Sequence, residues 1–183
     1  TGVWKLAKDG QLSLEVQANL DSQMPFLPRF GLCLPLVDAQ TVHYLGQGPF
    51  ENYADKQAAS YRAQFSLDAG DFYEPYIKPQ ENGNRSQVSW LEVVQAPVLW
   101  QVQDQTPASS GLNFSLSPYS AQTLSQTSHR DQLPEPSGYY LNLDLAQSGL
   151  GTNSCGPALP DAYRITGPNL SCRWTMAWRP LDN

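Results

Sequence analysis

Leu12, Leu14, Val16, Ala18 and Leu20 alternate without interruption with Gln11, Ser13, Glu15, Gln17 and Asn19. Successive side chains of an extended chain point to opposite faces, so the run predicts a strand with one buried face and one wet face. The same period returns in Phe30, Leu32, Leu34 and Leu36, in Tyr61, Ala63, Phe65 and Leu67, and in Leu112, Phe114 and Leu116. It returns again in Tyr139, Leu141, Leu143 and Leu145, and finally in Leu170, Cys172, Trp174, Met176 and Trp178. Shorter candidates are Val42-His43-Tyr44-Leu45, closed by Gly46-Gln47-Gly48-Pro49, and the stretches 88–94 and 98–102. Pro35 marks its strand as an edge or a bulge, because proline cannot donate to a ladder. Roughly nine strands at short spacing, with turns rich in Pro and Gly, predict an all-β fold: an antiparallel β-sandwich over residues 1–183 as a single domain. At most one short helix is expected, between Pro118 and His129, with Ser117 or Ser120 as N-cap.

The remaining segments read as connections. Residues 50–59 show no sustained period and read as a polar, partly helical loop; residues 71–85 are loop-like, with Asn82-Gly83 as a turn. Residues 103–111 form a polar linker. Gly149-Leu150-Gly151-Thr152-Asn153-Ser154-Cys155-Gly156-Pro157 must turn, since glycine is free to take positive φ and proline cannot continue a central strand. From spacing alone, the favoured account of this loop is a plain connection whose cysteine is a small buried hydrophobe.

Hydrophobic residues at 40% and aromatics at 11% of 183 residues suffice for a folded core. Seventeen acidic against eleven basic residues give a net charge of -6, which repels nucleic acid phosphates and anionic membrane. Neither partner is expected. The three cysteines, Cys33, Cys155 and Cys172, make neither a disulfide scaffold nor a CxxC zinc spacing, and point to a reducing compartment. No apolar run is long enough to span a bilayer, and a cytoplasmic location is expected. Three glycosylation sequons begin at Asn84, Asn113 and Asn169 and are read as incidental.

Signals for chemistry are sparse. His43 and His129 sit in no nucleophile motif, and no metal-ligand spacing appears. Glu51 with Asp55, and Glu74 with Glu81, lie in loops where paired carboxylates gather in glycosidases, although solvated or capping roles are commoner. Gly149-Leu150-Gly151 is half of a phosphate-binding fingerprint and lacks the rest. Tyr53, Tyr61, Phe72, Tyr73, Tyr76, Trp90 and Trp100 offer flat faces for sugar rings, and core packing accounts for them equally well. Residue chemistry alone thus reaches a soluble β-sandwich with carbohydrate affinity.

Four blocks say more when taken in order: Leu27-Pro28-Arg29-Phe30-Gly31; Tyr44-Leu45-Gly46-Gln47-Gly48-Pro49-Phe50-Glu51-Asn52-Tyr53-Ala54-Asp55-Lys56; Tyr76-Ile77-Lys78-Pro79-Gln80-Glu81-Asn82-Gly83-Asn84-Arg85; and the 149–157 loop followed by Tyr163-Arg164. From Leu27 onward the chain closely resembles the C-terminal, small-chain domain of the large, five-domain β-galactosidases of glycoside hydrolase family 2. The resemblance implies a supersandwich similar to galactose mutarotase, of which this chain is the later part. It places the catalytic glutamates, and the Mg and Na ions, in a separate TIM-barrel domain, so no catalytic residue, metal or cofactor is expected here. It also implies that the 149–157 loop helps wall the sugar pocket, with Asn153, Ser154 and Cys155 as wall residues. Some members have Trp at the key position and others Cys; this sequence has Cys155, so aromatic stacking does not carry over. The blocks around Glu51 and Glu81 are expected to be buttressing loops whose side chains bond backbone. Expected partners are the catalytic barrel domain and a β-D-galactoside of the lactose type. Uncovered apolar strand surface would also favour a homo-oligomer. The alternatives are a free-standing carbohydrate-binding module and, on fold analogy with His43 and His129, a mutarotase-like epimerase.

Overall fold

A computed structural model describes residues 1–21, 23–151 and 156–181. Two antiparallel sheets face each other. The larger has seven strands: β1 (Gly2–Leu6), β2 (Leu12–Asn19), β4 (Thr41–Gly48), β5 (Tyr61–Asp68), β7 (Trp90–Gln95), β8 (Val98–Asp104) and β11 (Asn169–Pro180), in the order β1-β2-β11-β8-β7-β4-β5. The smaller has four: β3 (Arg29–Leu36), β6 (Arg85–Val88), β9 (Leu112–Ser117) and β10 (Tyr139–Gln147), in the order β3-β10-β9-β6. The antiparallel β-sandwich read from the alternation is therefore the observed architecture.

The period-2 pattern explains the core. Along β11, Cys172, Trp174 and Met176 are buried while Ser171 and Arg173, which alternate with them, are exposed. Along β4, Val42 and Tyr44 point inward. These side chains meet Phe114, Leu116, Leu141 and Leu143 of the smaller sheet, all fully buried. Tyr44 is the centre of an aromatic cluster, with ring centroids 5.2 Å from Phe65, 5.2 Å from Phe114 and 6.1 Å from Phe72. Each such side chain contributes roughly 1.5–3 kcal/mol of burial, so the interlayer contact dominates stability.

The helix is α1 (Ala121–Gln126), and Ser120 caps it by accepting from Thr123 N at 3.0 Å. Ser117, the other candidate, accepts instead from Tyr119 N. Pro35 does lie on an edge strand, the outer β3.

Three expectations need correction, and one strand, β1, carries no sequence pattern. β1 was absent from the pattern because all five of its residues are exposed; it is held to β2 by backbone pairing, with no buried face to imprint an alternation. Residues 46–48 continue β4 instead of closing it. A Cβ at Gly46 would lie 2.6 Å from Val88 Cγ2, so glycine here lets β6 cross closely over the strand. The end of the 71–85 loop is strand β6, irregular enough to escape the period: its pairing with β9 shifts between Arg85 and Val88, where Gln87 has φ 55°. Residues 50–59 contain no helix, and Tyr53 and Lys56 exchange backbone bonds in a tight turn.

Three connections meet at one end of the sandwich: the turn after β4, the stretch before β6, and the loop after β10. Their contacts form the site described next.

Candidate functional site

Asn52 is the hub of the first two connections and is fully buried. Its Nδ2 donates to Gln47 O at 3.1 Å and Phe50 O at 3.0 Å. Its Oδ1 accepts from Ser86 N at 2.9 Å and Ser86 Oγ at 2.5 Å. Its backbone is paired as well, with Asn52 N donating to Asn84 O and Asn84 Nδ2 donating to Asn52 O at 2.7 Å. The amide thus uses both hydrogens and both lone pairs, the only way such a group is buried cheaply. Asn84 is itself fully buried, which leaves its sequon no room for a glycan.

Glu51 ties the same turn to the next one. Its Oε2 accepts from Gly83 N at 2.8 Å, while Lys56 Nζ and the Tyr76 hydroxyl both donate to Oε1. Burial raises the Glu51 pKa, but these three donors outweigh it and hold the carboxyl below its ordinary range. Asn82 closes the second turn, accepting from Glu74 N at 3.0 Å and donating to Gln80 O at 2.9 Å. The block around Glu51 and the Asn82 side chain bond backbone, as expected, whereas the Glu81 carboxylate bonds the side chains of Arg29 and Gln147.

Asp55 reaches in the other direction. Its Oδ1 accepts from Leu150 N at 3.0 Å and its Oδ2 from Gly151 N at 2.8 Å. A Cβ at Gly149 would stand 2.5 Å from the Asp55 carboxylate carbon, so glycine at 149 is what admits the carboxylate. Gly151 has φ 69°, a conformation glycine takes freely. Around this clamp, Ser148 N donates to Pro28 O, and Gly149 N to Tyr163 O, each at 2.9 Å. Ser148 Oγ donates to Leu27 O at 2.6 Å and accepts from Ile165 N at 2.9 Å. The root of the 149–157 loop is therefore fixed to both neighbouring connections. The expected wall residues Asn153, Ser154 and Cys155 lie outside the described residues.

Beside the root is a cavity of about 300 Å³, with Arg29, Glu81, Gln147, Leu150 and Leu159 in its lining. Arg29 bridges two carboxylates: it donates to Glu81 Oε2 at 3.1 Å, and to Asp144 through Nε at 3.2 Å and Nη2. Gln147 Nε2 adds a donor to Glu81 Oε1 at 3.3 Å. Burial pushes the Glu81 carboxyl up, with Arg29 and Gln147 pulling against it. A larger cavity of about 480 Å³, bordered by Met24, Phe26 and Ile165, contains Asp21 as its charged side chain.

Three of the sequence-level candidates for chemistry are thus committed to the architecture. Glu51, Asp55 and Glu81 commit carboxylate oxygens to turns, loop root and Arg29. Tyr53, Phe72 and Trp100 are buried and present no platform, whereas Tyr61 is exposed. Among the described residues no group of three or more His, Cys, Asp or Glu is placed to hold a metal ion. No helix among them is long and apolar enough to cross a membrane. No motif in the sequence links Arg29, Asp144 and Gln147. Asp144 falls on the polar side of the β10 alternation, and only the pairing of β10 with β3 sets it opposite Gly31, two residues from Arg29.

A family model described as "Beta galactosidase small chain" matches residues 1–176. A curated "Beta-galactosidase" of Staphylococcus xylosus is 36% identical over 178 residues, which is 96% of this chain and 17% of that protein. A "Beta-galactosidase" of Actinobacillus pleuropneumoniae is 34% identical over 174 residues, 94% of this chain and 16% of that protein. A third, from Lactococcus lactis, is 34% identical over 168 residues, 91% of this chain and again 16% of that protein. The chain therefore spans about a sixth of the length of these relatives.

Proposed function

The chain belongs to the β-galactosidase small-chain family, and from that membership we propose that it is the C-terminal domain of an enzyme hydrolysing terminal β-D-galactosides. The observation that carries this reading is the family match over residues 1–176 together with the small share of each relative that the chain covers. In this reading residues 1–183 are the later part of the small-chain domain, and the catalytic glutamates and the Mg and Na ions belong to a barrel domain. The chain supplies stability and a wall for the sugar pocket through Asn153, Ser154 and Cys155. The anchored root at residues 148–151 supports that role, because a wall residue is useful only if the chain entering it is held. The partners are the barrel domain and the galactoside, and the location is the cytoplasm.

The test is a chromogenic galactoside assay. The isolated chain is expected to show no turnover, whereas a polypeptide joining it to the barrel domain hydrolyses the substrate. Hydrolysis by the isolated chain that survives repurification overturns the reading. In the complete enzyme, Cys155→Ala is expected to alter acceptor affinity more than the chemical step.

A further inference from the structure

We propose that Asp55 is the positioning residue of the sugar-pocket wall: its carboxylate fixes the Leu150 and Gly151 amides at the root of the 149–157 loop. This rests on the reading of that loop as a pocket wall. Two backbone N–H groups, Leu150 N and Gly151 N, converge on separate oxygens of one side chain at 3.0 and 2.8 Å. A carboxylate holding two adjacent amides fixes the orientation of the peptide planes as well as their distance, because each oxygen defines one line of approach. The fit is mutual, since Gly149 has no Cβ where Asp55 lies.

Asp55 is itself immobilised. It stands in the turn that Tyr53 and Lys56 close with paired backbone bonds. Three and four residues earlier the same turn is tied down by Asn52, which holds Ser86, and by Glu51, which holds Gly83 N. A chain of bonded groups therefore runs from β6 through the 51–56 turn to the loop root. None of these residues touches a reacting atom in the described structure; Asp55 acts through the loop.

Hydrogen exchange on the chain tests the clamp. Asp55→Ala is expected to speed exchange at the Leu150 and Gly151 amides about tenfold or more, with Asp55→Asn between Ala and wild type because one acceptor oxygen remains. Gly149→Ala is an independent variant, since its methyl pushes the carboxylate away, and the same two amides should respond. In the complete enzyme, Asp55→Ala should raise the KM about three- to tenfold, with a smaller fall in kcat and partial rescue by Asn. A purely structural Asp55 would instead lower the yield of folded enzyme and leave the KM of the folded fraction alone. Unchanged exchange at both amides overturns the proposal. So does an unmoved KM in the Asp55 variants when Cys155→Ala does change acceptor affinity, and in that case the pocket-wall reading survives. If neither the Asp55 variants nor Cys155→Ala moves affinity, the pocket-wall reading falls and takes the proposal with it.

Discussion

Glu51 shows how a carboxylate in a loop is recruited for architecture. It is 6% exposed, and three donors converge on its two oxygens, one of them the backbone of Gly83. The ionised form is favoured in the fold because those donors outweigh burial. A carboxyl whose folded pKa is depressed stabilises the fold above its ordinary pKa, and that contribution is lost as the pH falls through the lower, folded value. Glu51→Gln should therefore cost about 1.5–3 kcal/mol at neutral pH, and the difference from wild type should shrink in acid. Urea unfolding of both proteins between neutrality and strong acid checks this. Comparison by difference also removes the opposing effect of Glu81, whose burial-raised pKa favours the fold on the acid side. Equal stability at neutral pH, or a difference that grows in acid, would contradict the assignment. Cation pairing with Lys56 adds little to that figure, since its side chain is 53% exposed. At this scale the sequence was half legible. The acidic turn blocks could be recognised as buttresses, because Asn and Glu beside glycine commonly bond backbone. Which amides they hold could not be read: Asp55 meets Leu150 across 95 positions, a separation that no local pattern encodes.

The elements were legible wherever a strand had one wet and one dry face. β2, β3, β5, β9, β10 and β11 all carry apolar residues at alternating positions in sequence, and each forms, although in β9 the intervening Ser115 and Ser117 are buried as well. β1 has no dry face, β6 is interrupted by its bulge, and the glycines ending β4 mimic a turn while serving a close crossing. Period-2 reading fails at such places because the pattern records burial, and these strands are fixed by backbone pairing or by sterics. The same distinction orders local stability. β4, β7 and β8 lie inside the larger sheet and contribute Val42, Tyr44, Leu91, Val93 and Val102, all fully buried. β1 lies at the edge and buries nothing. Native-state hydrogen exchange should therefore show the slowest amides in β4, β7 and β8, and should show β1 exchanging through local fraying at least a hundredfold faster, or about 2.7 kcal/mol. Uniform protection across the seven-stranded sheet would mean that β1 is held by contacts beyond its ladder.

The two sheets are unequal, and the consequence appears at the end of the larger one. Trp4 pairs with Leu14, and Leu14 with Trp174, so all three project on the same side of the sheet. Leu14 and Trp174 are each 1% exposed, but Trp4 is 50% exposed and Leu6, which follows on the same face of β1, is 75% exposed. The core-facing side of the larger sheet thus runs on past the four strands that cover it. An apolar strip of this kind on an edge strand favours association, because both its side chains and its unpaired backbone offer a template. On its own the chain is expected to self-associate in a concentration-dependent way, and Trp4→Gln combined with Leu6→Gln should shift it toward monomer. Sedimentation equilibrium across a hundredfold range of concentration measures both effects. The substitutions leave the core untouched, so circular dichroism should stay native. In the complete enzyme the strip is expected to be covered by chain lying outside these residues. There the same pair of changes should loosen domain packing and lower thermal stability, with no effect on association. A chain that remains monomeric throughout that range, and a complete enzyme indifferent to the substitutions, would show that the overhang is tolerated as ordinary surface.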